Sequence, residues 1–174
     1  MTKKITKLSI FDFDQTLVSS PTPEIGRNIY KEKTGLDWPH QGWWSKPESL
    51  DMSIFDIAAY EDVVNAHIKE FTAEDTVVVM LTGRISKLSK HVEAILDAKG
   101  LKFDEYHYNN GGETGDVKMR IMSELLEKYS DVDTIEIWED RISHIKRFDE
   151  FFTMLVESGK IKHYKINVVN ESDH

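Results

Sequence analysis

Short apolar runs alternate along the chain with longer segments in which apolar residues recur at helical spacing. A run of about four to eight apolar or β-branched residues is typical of a β-strand, whereas the longer recurrence is typical of an amphipathic helix. The short runs predict strands at residues 5–13, 76–81, 101–107, 134–138 and 164–169. Residues 76–81 are rich in valine, as expected of a strand buried on both faces of a parallel sheet.

Helical periodicity fills the segments between these strands. Apolar residues line one face of helices that we predict to start near Ile85, Met119 and Ile142. Gly100 suits the C-terminal cap of the first, and a glycine-rich loop at residues 109–115 precedes the second. Strands that alternate with such helices form right-handed crossovers, which place helices on both faces of the sheet. We therefore predict an α/β fold, a three-layer α/β/α sandwich with a mainly parallel, Rossmann-like sheet.

The segment between the first two strands breaks this alternation. It contains two helical stretches, at residues 24–33 and 60–71, and between them an irregular region with Trp38, Trp43 and Trp44. An insert at the edge of a sheet can exclude water from a site and contact the substrate. We therefore assign residues 1–18 and 74–174 to a core domain and residues 19–73, called the insert below, to a small helical cap.

Composition limits the partners. The 174 residues include 22 Lys+Arg and 31 Asp+Glu, a net charge of -9, which disfavours indiscriminate coating of DNA or RNA. A bound metal ion or a local basic patch still admits a phosphate group. The absence of cysteine excludes disulfides, thiolate metal sites and thiol catalysis. Because no signal-peptide pattern or membrane-spanning run is visible, we expect a cytoplasmic protein with no membrane partner.

Oxygen-bearing side chains follow several of the predicted strands. Asp12 and Asp14 follow the first, Thr82 the second, and Glu139 with Asp140 a later one. In open α/β sheets the ligand binds beyond the carboxyl ends of the strands, so these side chains converge on one edge. On an extended strand Asp12 and Asp14 point to the same side, where their repulsion requires a shared proton or a cation such as Mg²⁺. One carboxylate can then attack phosphorus while the other donates a proton.

These segments resemble the motifs of the haloacid dehalogenase-like (HAD) hydrolases. Residues 11–17 are similar to the first motif and residues 81–84 to the second. Lys118, after the glycine-rich loop, is similar to the lysine of the third motif, and residues 139–140 to the acidic pair of the fourth. The resemblance covers about residues 5–151, with the motifs in the family's order and strand context. A second aspartate at position 14 marks the phosphohydrolases and phosphomutases of this superfamily.

The resemblance implies a role for each motif residue. Asp12 is the expected nucleophile, and Asp14 the expected general acid and base. The Thr82 hydroxyl is expected to bind the transferring phosphoryl group, and Lys118 to neutralise the phosphoaspartate, although an exposed surface lysine is the alternative. The expected ligands of Mg²⁺ are Asp12, Asp14, Glu139 and Asp140. The implied activity is Mg²⁺-dependent hydrolysis of a phosphomonoester.

A narrower resemblance is to the "Swiss Army knife" RNA-repair-like group of this superfamily. It is carried by residues 22–23, 42–44, 81–84, 103–104 and 138–141, followed by His144 and Phe148. This resemblance implies a phosphorylated RNA or DNA end, or a nucleotide, as substrate, with separate repair enzymes as partners. Two alternatives stay open: a small-metabolite phosphatase, and a non-catalytic phosphate-binding subunit of a repair assembly.

Further substrate contacts are expected beside Thr82. Gly83 and Arg84 belong to the second motif, and Arg141 opens a basic helix start that can hold a second phosphate. Trp43 and Trp44 can stack on bases. The alternatives are a solvated helix face for Arg141 and a packing role for the two tryptophans.

Overall fold

The computed structural model describes residues 3–172 and confirms the α/β class. Every helix in this range is too short or too polar to span a lipid bilayer. Two short 3₁₀ helices lie at Pro47–Leu50 and Ser86–Leu88. The other elements are, in chain order, β1 (Lys7–Phe11), β2 (Val18–Ser19), α1 (Pro23–Thr34), β3 (Ala58–Ala59), α2 (Glu61–Phe71), β4 (Thr76–Ile85), α3 (Ser89–Ala98), β5 (Glu105–Asn109), α4 (Thr114–Lys128), β6 (Thr134–Arg141), α5 (Ile142–Glu157) and β7 (His163–Ser172).

The main sheet is parallel throughout, with its strands in the order β5-β4-β1-β6-β7. Each predicted strand is present in it. β4 and β6 are longer than predicted: β4 continues to Ile85, which pairs with Asn109, and β6 continues to Arg141, which pairs with Ser172. Both pairings follow a register shift. Local irregularity of this kind leaves no signal in the apolar pattern, so the sequence placed the strand ends too early.

Helices cover both faces of the sheet. On one face α4 and α5 pack over Leu8 and Ile10 of β1, and on the other α2 and α3 pack over Phe11. Neighbouring positions of β1 thus serve opposite faces, as the two-residue period of a strand requires. Because β1 is the central strand, the residues that follow it lie at the middle of the sheet's carboxyl edge.

The insert contributes to one of these helical layers. Val63 of α2, together with Trp43 and Phe55, belongs to the same hydrophobic cluster as Phe11. The segment at residues 44–49 lies at the carboxyl edge of the sheet, where it contacts Arg84 at the end of β4. One part of the insert therefore belongs to a helical layer of the sandwich, and another part borders the site. The division of the insert from the core as a separate cap stays a prediction.

Candidate active site

Asp12 lies directly after β1 and faces a lysine from α4. Lys118 Nζ donates to Asp12 Oδ1 at 2.9 Å and to Glu139 Oε1 at 3.2 Å. Lys118 is 3% exposed, which rules out the surface position that sequence alone left open. A lysine buried to this degree needs charged partners, because an uncompensated ammonium in the interior is strongly destabilising. Lys118 therefore fixes the Asp12 carboxylate and supplies positive charge next to it.

The start of α4 determines where Lys118 lies. Glu113 caps this helix, and its carboxylate accepts hydrogen bonds from the backbone N–H groups of Gly115 and Asp116. Arg147 of α5 donates to the same carboxylate at 2.8 Å, which ties the two helices together. Lys118 follows one turn later on the inner face of α4. The partial positive charge of a helix N-terminus also favours anions at this edge.

β4 and α4 approach each other closely beside the site. A side chain at Gly83 would place its Cβ 2.7 Å from Thr114 Cγ2, closer than real atoms pack. Any larger residue at position 83 therefore requires Thr114 to shift. Gly83 and Thr114 both line the cleft. Sequence reasoning missed Thr114, although its place at the start of the helix that carries Lys118 was a usable signal.

Three buried carboxylates gather around this point. Oxygen atoms of Asp12, Glu139 and Asp140 all lie within 4.8 Å of one another. Thr16 holds two of them together, since its Oγ1 is 3.1 Å from Asp12 Oδ2 and 3.3 Å from Asp140 Oδ1. The predicted convergence of strand ends thus occurs for β1 and β6.

The three carboxylates of this acidic cluster repel one another when ionised. Burial and repulsion by Asp12 raise the pKa of Asp140 to about 8, and the same two causes raise the pKa of Glu139 well above its ordinary value. Burial also opposes ionisation of Asp12, but attraction to the Lys118 ammonium holds its pKa well below the usual range. A divalent cation would remove this repulsion, and carboxylate oxygens are the donors that Mg²⁺ prefers. The donor set therefore fits Mg²⁺.

His144 completes the surroundings of Glu139. Its Nδ1 lies 3.0 Å from Glu139 Oε1, and burial together with the positive charges of Lys118 and Arg141 lowers the pKa of the imidazole to about 4. A neutral imidazole at pH 7 can share a hydrogen bond with Glu139 through Nδ1 and adds no charge. In the sequence, His144 is marked only by the narrower family resemblance and by the basic start of its helix, and neither predicts this contact.

Asp14 lines the same cleft, but its carboxylate lies outside the acidic cluster, and its role as a metal ligand stays a prediction. Its two carboxylate oxygens accept hydrogen bonds from Arg84 Nε at 2.9 Å and Nη2 at 2.7 Å, and Ser20 Oγ also donates to it. The physical reason is local. β1 ends at Phe11, and the chain then turns, with Gln15 at a φ of 61°. The strand rule that put Asp12 and Asp14 on one side therefore does not apply.

Arg84 has contacts within the protein that its expected role does not include. Its side chain is buried, 2% exposed, and besides Asp14 it donates to the Trp44 carbonyl at 2.9 Å and to Ser49 Oγ at 2.8 Å. These donors are directed at the protein. Arg84 also lines the cleft, so its role as a substrate ligand stays a prediction, while its guanidinium joins Asp14 to the insert.

Thr82 does not line the cleft, unlike its neighbour Gly83. It is 1% exposed, and its hydroxyl accepts a hydrogen bond from the Arg84 backbone N–H at 3.1 Å. The prediction placed Thr82 in a turn, but β4 continues past it and keeps its side chain inside. The structure thus does not bring the Thr82 hydroxyl to the cleft surface.

The two adjacent tryptophans have different surroundings. Trp43 is 3% exposed, its Nε1 donates to the Pro21 carbonyl at 3.0 Å, and its ring packs against Phe55. These contacts favour the packing alternative for Trp43, and its stacking role stays a prediction. Trp44 does line the cleft, as does Arg141, which ends β6. The Trp44 ring also lies over the Arg84 guanidinium, with 4.9 Å between its centroid and Arg84 Cζ.

The cleft above these residues has a volume of about 200 Å³. Its lining includes the four carboxylates together with Trp44, Arg141 and Thr114. This arrangement can hold a cation and an anionic group side by side. It suits the transfer of a small, highly charged group to a carboxylate oxygen.

Comparisons with known proteins identify the family of this chain. Residues 22–174 match the model of HAD domain family 1 in Swiss Army Knife RNA repair proteins, a range that begins after Asp12 and Asp14. The uncharacterized protein YMR265C of Saccharomyces cerevisiae is 30% identical in an alignment 175 positions long that covers 87% of this chain. The match spans only 38% of the yeast protein's length.

Solved structures show the same fold. The HAD domain of the effector protein Lem4 from Legionella pneumophila superposes with a TM-score of 0.56 at 14% identity, covering 96% of this chain and 88% of that one. Its inactive mutant superposes with a TM-score of 0.58 at 13% identity, covering 98% and 89%. With the family match spanning most of the sequence, the chain belongs to HAD domain family 1 of the Swiss Army Knife RNA repair proteins, within the haloacid dehalogenase-like hydrolases.

Proposed function

We propose that this protein is a Mg²⁺-dependent phosphomonoester hydrolase in which Asp12 is the nucleophile. The observation that carries the proposal is the contact of Lys118 Nζ with Asp12 Oδ1 beside the acidic cluster. The low pKa of Asp12 keeps its carboxylate ionised at neutral pH, and the residue lines the cleft. An ionised, fixed carboxylate in the lining of an anion-sized cleft is suited to attack on phosphorus.

The proposed reaction has two steps. In the first, an Asp12 oxygen attacks phosphorus, the bond between phosphorus and the ester oxygen breaks, and Asp14 gives its proton to the departing oxygen. In the second, water attacks the phosphoaspartate and returns a proton to Asp14, which releases inorganic phosphate and restores the Asp12 carboxylate. Lys118 balances charge beside Asp12 throughout. Asp12, Glu139 and Asp140 would hold Mg²⁺, which when bound would supply positive charge for the phosphoryl oxygens.

As substrate class we propose phosphorylated nucleic-acid ends. The description of the matched family is one support. The second is the pairing of an aromatic ring, Trp44, with a cation, Arg141, in the lining of the cleft. A ring of this kind can stack on a terminal base, and arginine suits an adjacent phosphate. The net charge of -9 favours contact with an end rather than along a nucleic-acid strand.

The size of the cleft favours a second candidate, a small-metabolite phosphatase. Its volume of about 200 Å³ is below the roughly 300–1,000 Å³ of typical ligand pockets. Such a space suits a phosphoryl group with little else attached. A third possibility is a subunit that binds phosphate without turnover, as part of an assembly with separate repair enzymes.

The substrate test compares three phosphomonoesters under identical conditions with Mg²⁺ and with EDTA. They are a 3′-phosphorylated RNA oligonucleotide, its DNA counterpart and a sugar phosphate. Phosphate release that requires Mg²⁺ and is faster on an oligonucleotide supports end repair. Faster release from the sugar phosphate supports a small-metabolite phosphatase. No phosphate release from any of the three compounds contradicts the hydrolase proposal. Asp56→Asn, an exposed aspartate of the insert, is the control variant and should behave as wild type.

A further inference from the structure

We propose that Arg84 is a positioning residue that couples the insert to proton donation by Asp14, an inference that rests on the proposed hydrolase function. Its guanidinium joins three separate segments. They are the turn after β1, the end of β4, and residues 44–49 of the insert. The role expected for Arg84 from the second motif, contact with substrate, does not include this link between Asp14 and the insert. The link is visible only in the folded structure.

The contact with Asp14 defines the position of that carboxylate. Nε and Nη2 of Arg84 donate to the two oxygens of Asp14 at 2.9 and 2.7 Å, a paired arrangement in which the planar guanidinium fixes both distance and orientation. Asp14 follows the end of β1 and lies outside the main sheet, where its backbone forms an isolated bridge with Val18. Its side chain is held by Ser20 Oγ and by the paired contact with Arg84, and of these two partners only Arg84 also reaches residues 44–49 of the insert.

The contacts with the insert use the third nitrogen. Nη1 donates to the Trp44 carbonyl at 2.9 Å and to Ser49 Oγ at 2.8 Å, and the Trp44 ring lies over the guanidinium. Ser49 is fully buried and does not line the cleft. A shift of residues 44–49 would therefore move Arg84, and with it Asp14.

The consequence concerns the leaving group. When the P–O bond of an alkyl phosphate breaks, the ester oxygen needs the Asp14 proton to leave as an alcohol. A nitrophenyl phosphate releases a stable phenolate and needs that proton far less. Misplacing Asp14 should therefore slow the hydrolysis of alkyl esters selectively, because a positioned general acid contributes about 10²–10⁴-fold to rate.

The experiment measures kcat and KM for β-glycerophosphate and for p-nitrophenyl phosphate in wild type, Arg84→Lys, Ser49→Ala and Ser53→Ala. Lysine keeps the charge but cannot pair with both Asp14 oxygens. We expect Arg84→Lys to lower kcat on the glycerol ester by about 10²-fold and on the nitrophenyl ester by less than about 10-fold. Ser49→Ala should also lower kcat more on the glycerol ester than on the nitrophenyl ester, but by a smaller factor than Arg84→Lys. Ser53→Ala, an exposed hydroxyl of the same insert, should match wild type.

A double variant isolates the coupling. In an Asp14→Asn background the selective effect of Arg84→Lys should disappear, since the group that Arg84 positions no longer carries the proton. Thermal unfolding of each variant identifies loss of fold. If Arg84→Lys does not fold, Ser49→Ala carries the test, and the absence of selectivity there overturns the inference.

The outcomes separate this inference from the proposed function. Equal losses on both esters, or a rise in KM alone, would show that Arg84 binds substrate or only supports the fold, and would overturn the inference while hydrolysis stands. If wild type hydrolyses neither these two esters nor the three phosphomonoesters of the substrate test, the proposed function is overturned, and the inference with it. If it hydrolyses only the oligonucleotides, the 3′-phosphorylated RNA, itself an alkyl phosphate, replaces β-glycerophosphate, and an unchanged kcat in Arg84→Lys overturns the inference.

Discussion

Lys118 Nζ and Asp12 Oδ1 lie 2.9 Å apart in the interior although their residues are 106 positions apart in the sequence. The first comes from an inward face of α4, the second from the end of the central strand. Their contact stabilises a carboxylate that two further buried carboxylates would otherwise repel. It therefore links the fold, which brings the two elements together, to the proposed nucleophile.

Removing this lysine should be costly in two ways. Lys118→Met leaves three buried carboxylates without the ammonium, so we expect the free energy of unfolding without metal to fall by about 3–5 kcal/mol. Phosphate release should fall by at least about 10²-fold. Denaturant unfolding and a phosphate assay measure the two effects. Lys128→Met, an exposed lysine of the same helix, is the control, and equal behaviour of the two variants would contradict the assigned role.

The raised pKa of Asp140 predicts a pH dependence of stability. Its folded pKa of about 8 lies above the ordinary value of 3.8, so between these pH values the folded protein binds a proton that the unfolded chain has released. Stability without metal should therefore decrease as the pH rises from about 5 to 8. Thermal unfolding in EDTA at several pH values measures this. Asp140→Asn should flatten the decrease, and an equally steep decrease in the variant would exclude Asp140 as the cause.

Mg²⁺ should stabilise the folded protein by binding the acidic cluster. A ligand that binds only the folded state adds about 2.7 kcal/mol at 100 times its dissociation constant, so Tm should rise with added Mg²⁺. The rise should be much smaller in Asp140→Asn and unchanged in Asp56→Asn. An equal rise in all three proteins would place the metal elsewhere.

The approach of Gly83 to Thr114 predicts a rescue. Gly83→Ala puts a methyl group 2.7 Å from Thr114 Cγ2, and such overpacking costs about 1–3 kcal/mol. Thr114→Ser removes that methyl carbon and should restore part of the loss in the double variant. Gly42→Ala, whose added carbon would meet nothing closer than 3.5 Å, is the control. Additive losses in the double variant would show that the contact is not the cause.

The neighbouring tryptophans should respond to mutation in different ways. Trp43 is buried, so Trp43→Ala should lower the free energy of unfolding by about 3–5 kcal/mol. Trp44→Ala should instead raise KM for oligonucleotides while leaving that for a small aryl phosphate nearly unchanged. Steady-state kinetics and denaturant unfolding separate the two. A similar KM for oligonucleotides in Trp44→Ala and wild type would remove Trp44 from the substrate site.

The sheet could be predicted from the sequence because its strands are apolar runs with clear boundaries. Asp12 and Lys118 could be predicted for another reason, since the resemblance to HAD motifs identified them. The position of Asp14 was not, because the chain leaves extended geometry after Phe11 and the alternation rule ends there. Local spacing carries no information on such a change.

The environments of Arg84 and Trp43 depend on contacts distant in sequence. Arg84 is buried because residues 44 and 49 of the insert accept its hydrogen bonds, and Trp43 because it packs in the cluster that surrounds Phe11. An arginine and a tryptophan next to a predicted site look the same in sequence whether they face substrate or protein. Tertiary packing decides between the two, and a single sequence does not encode it in any local pattern.

The central claim is that Asp12 receives the phosphoryl group. The most direct measurement is a single turnover with an aryl phosphate that the wild-type protein hydrolyses. The reaction is quenched in acid and treated with borohydride, which reduces an aspartyl phosphate to homoserine. Peptide mass spectrometry should then find homoserine at position 12 in wild type and none in Asp12→Asn, which should also release no phosphate. Phosphate release by Asp12→Asn at the wild-type rate, or a modified residue at another position, would contradict the account.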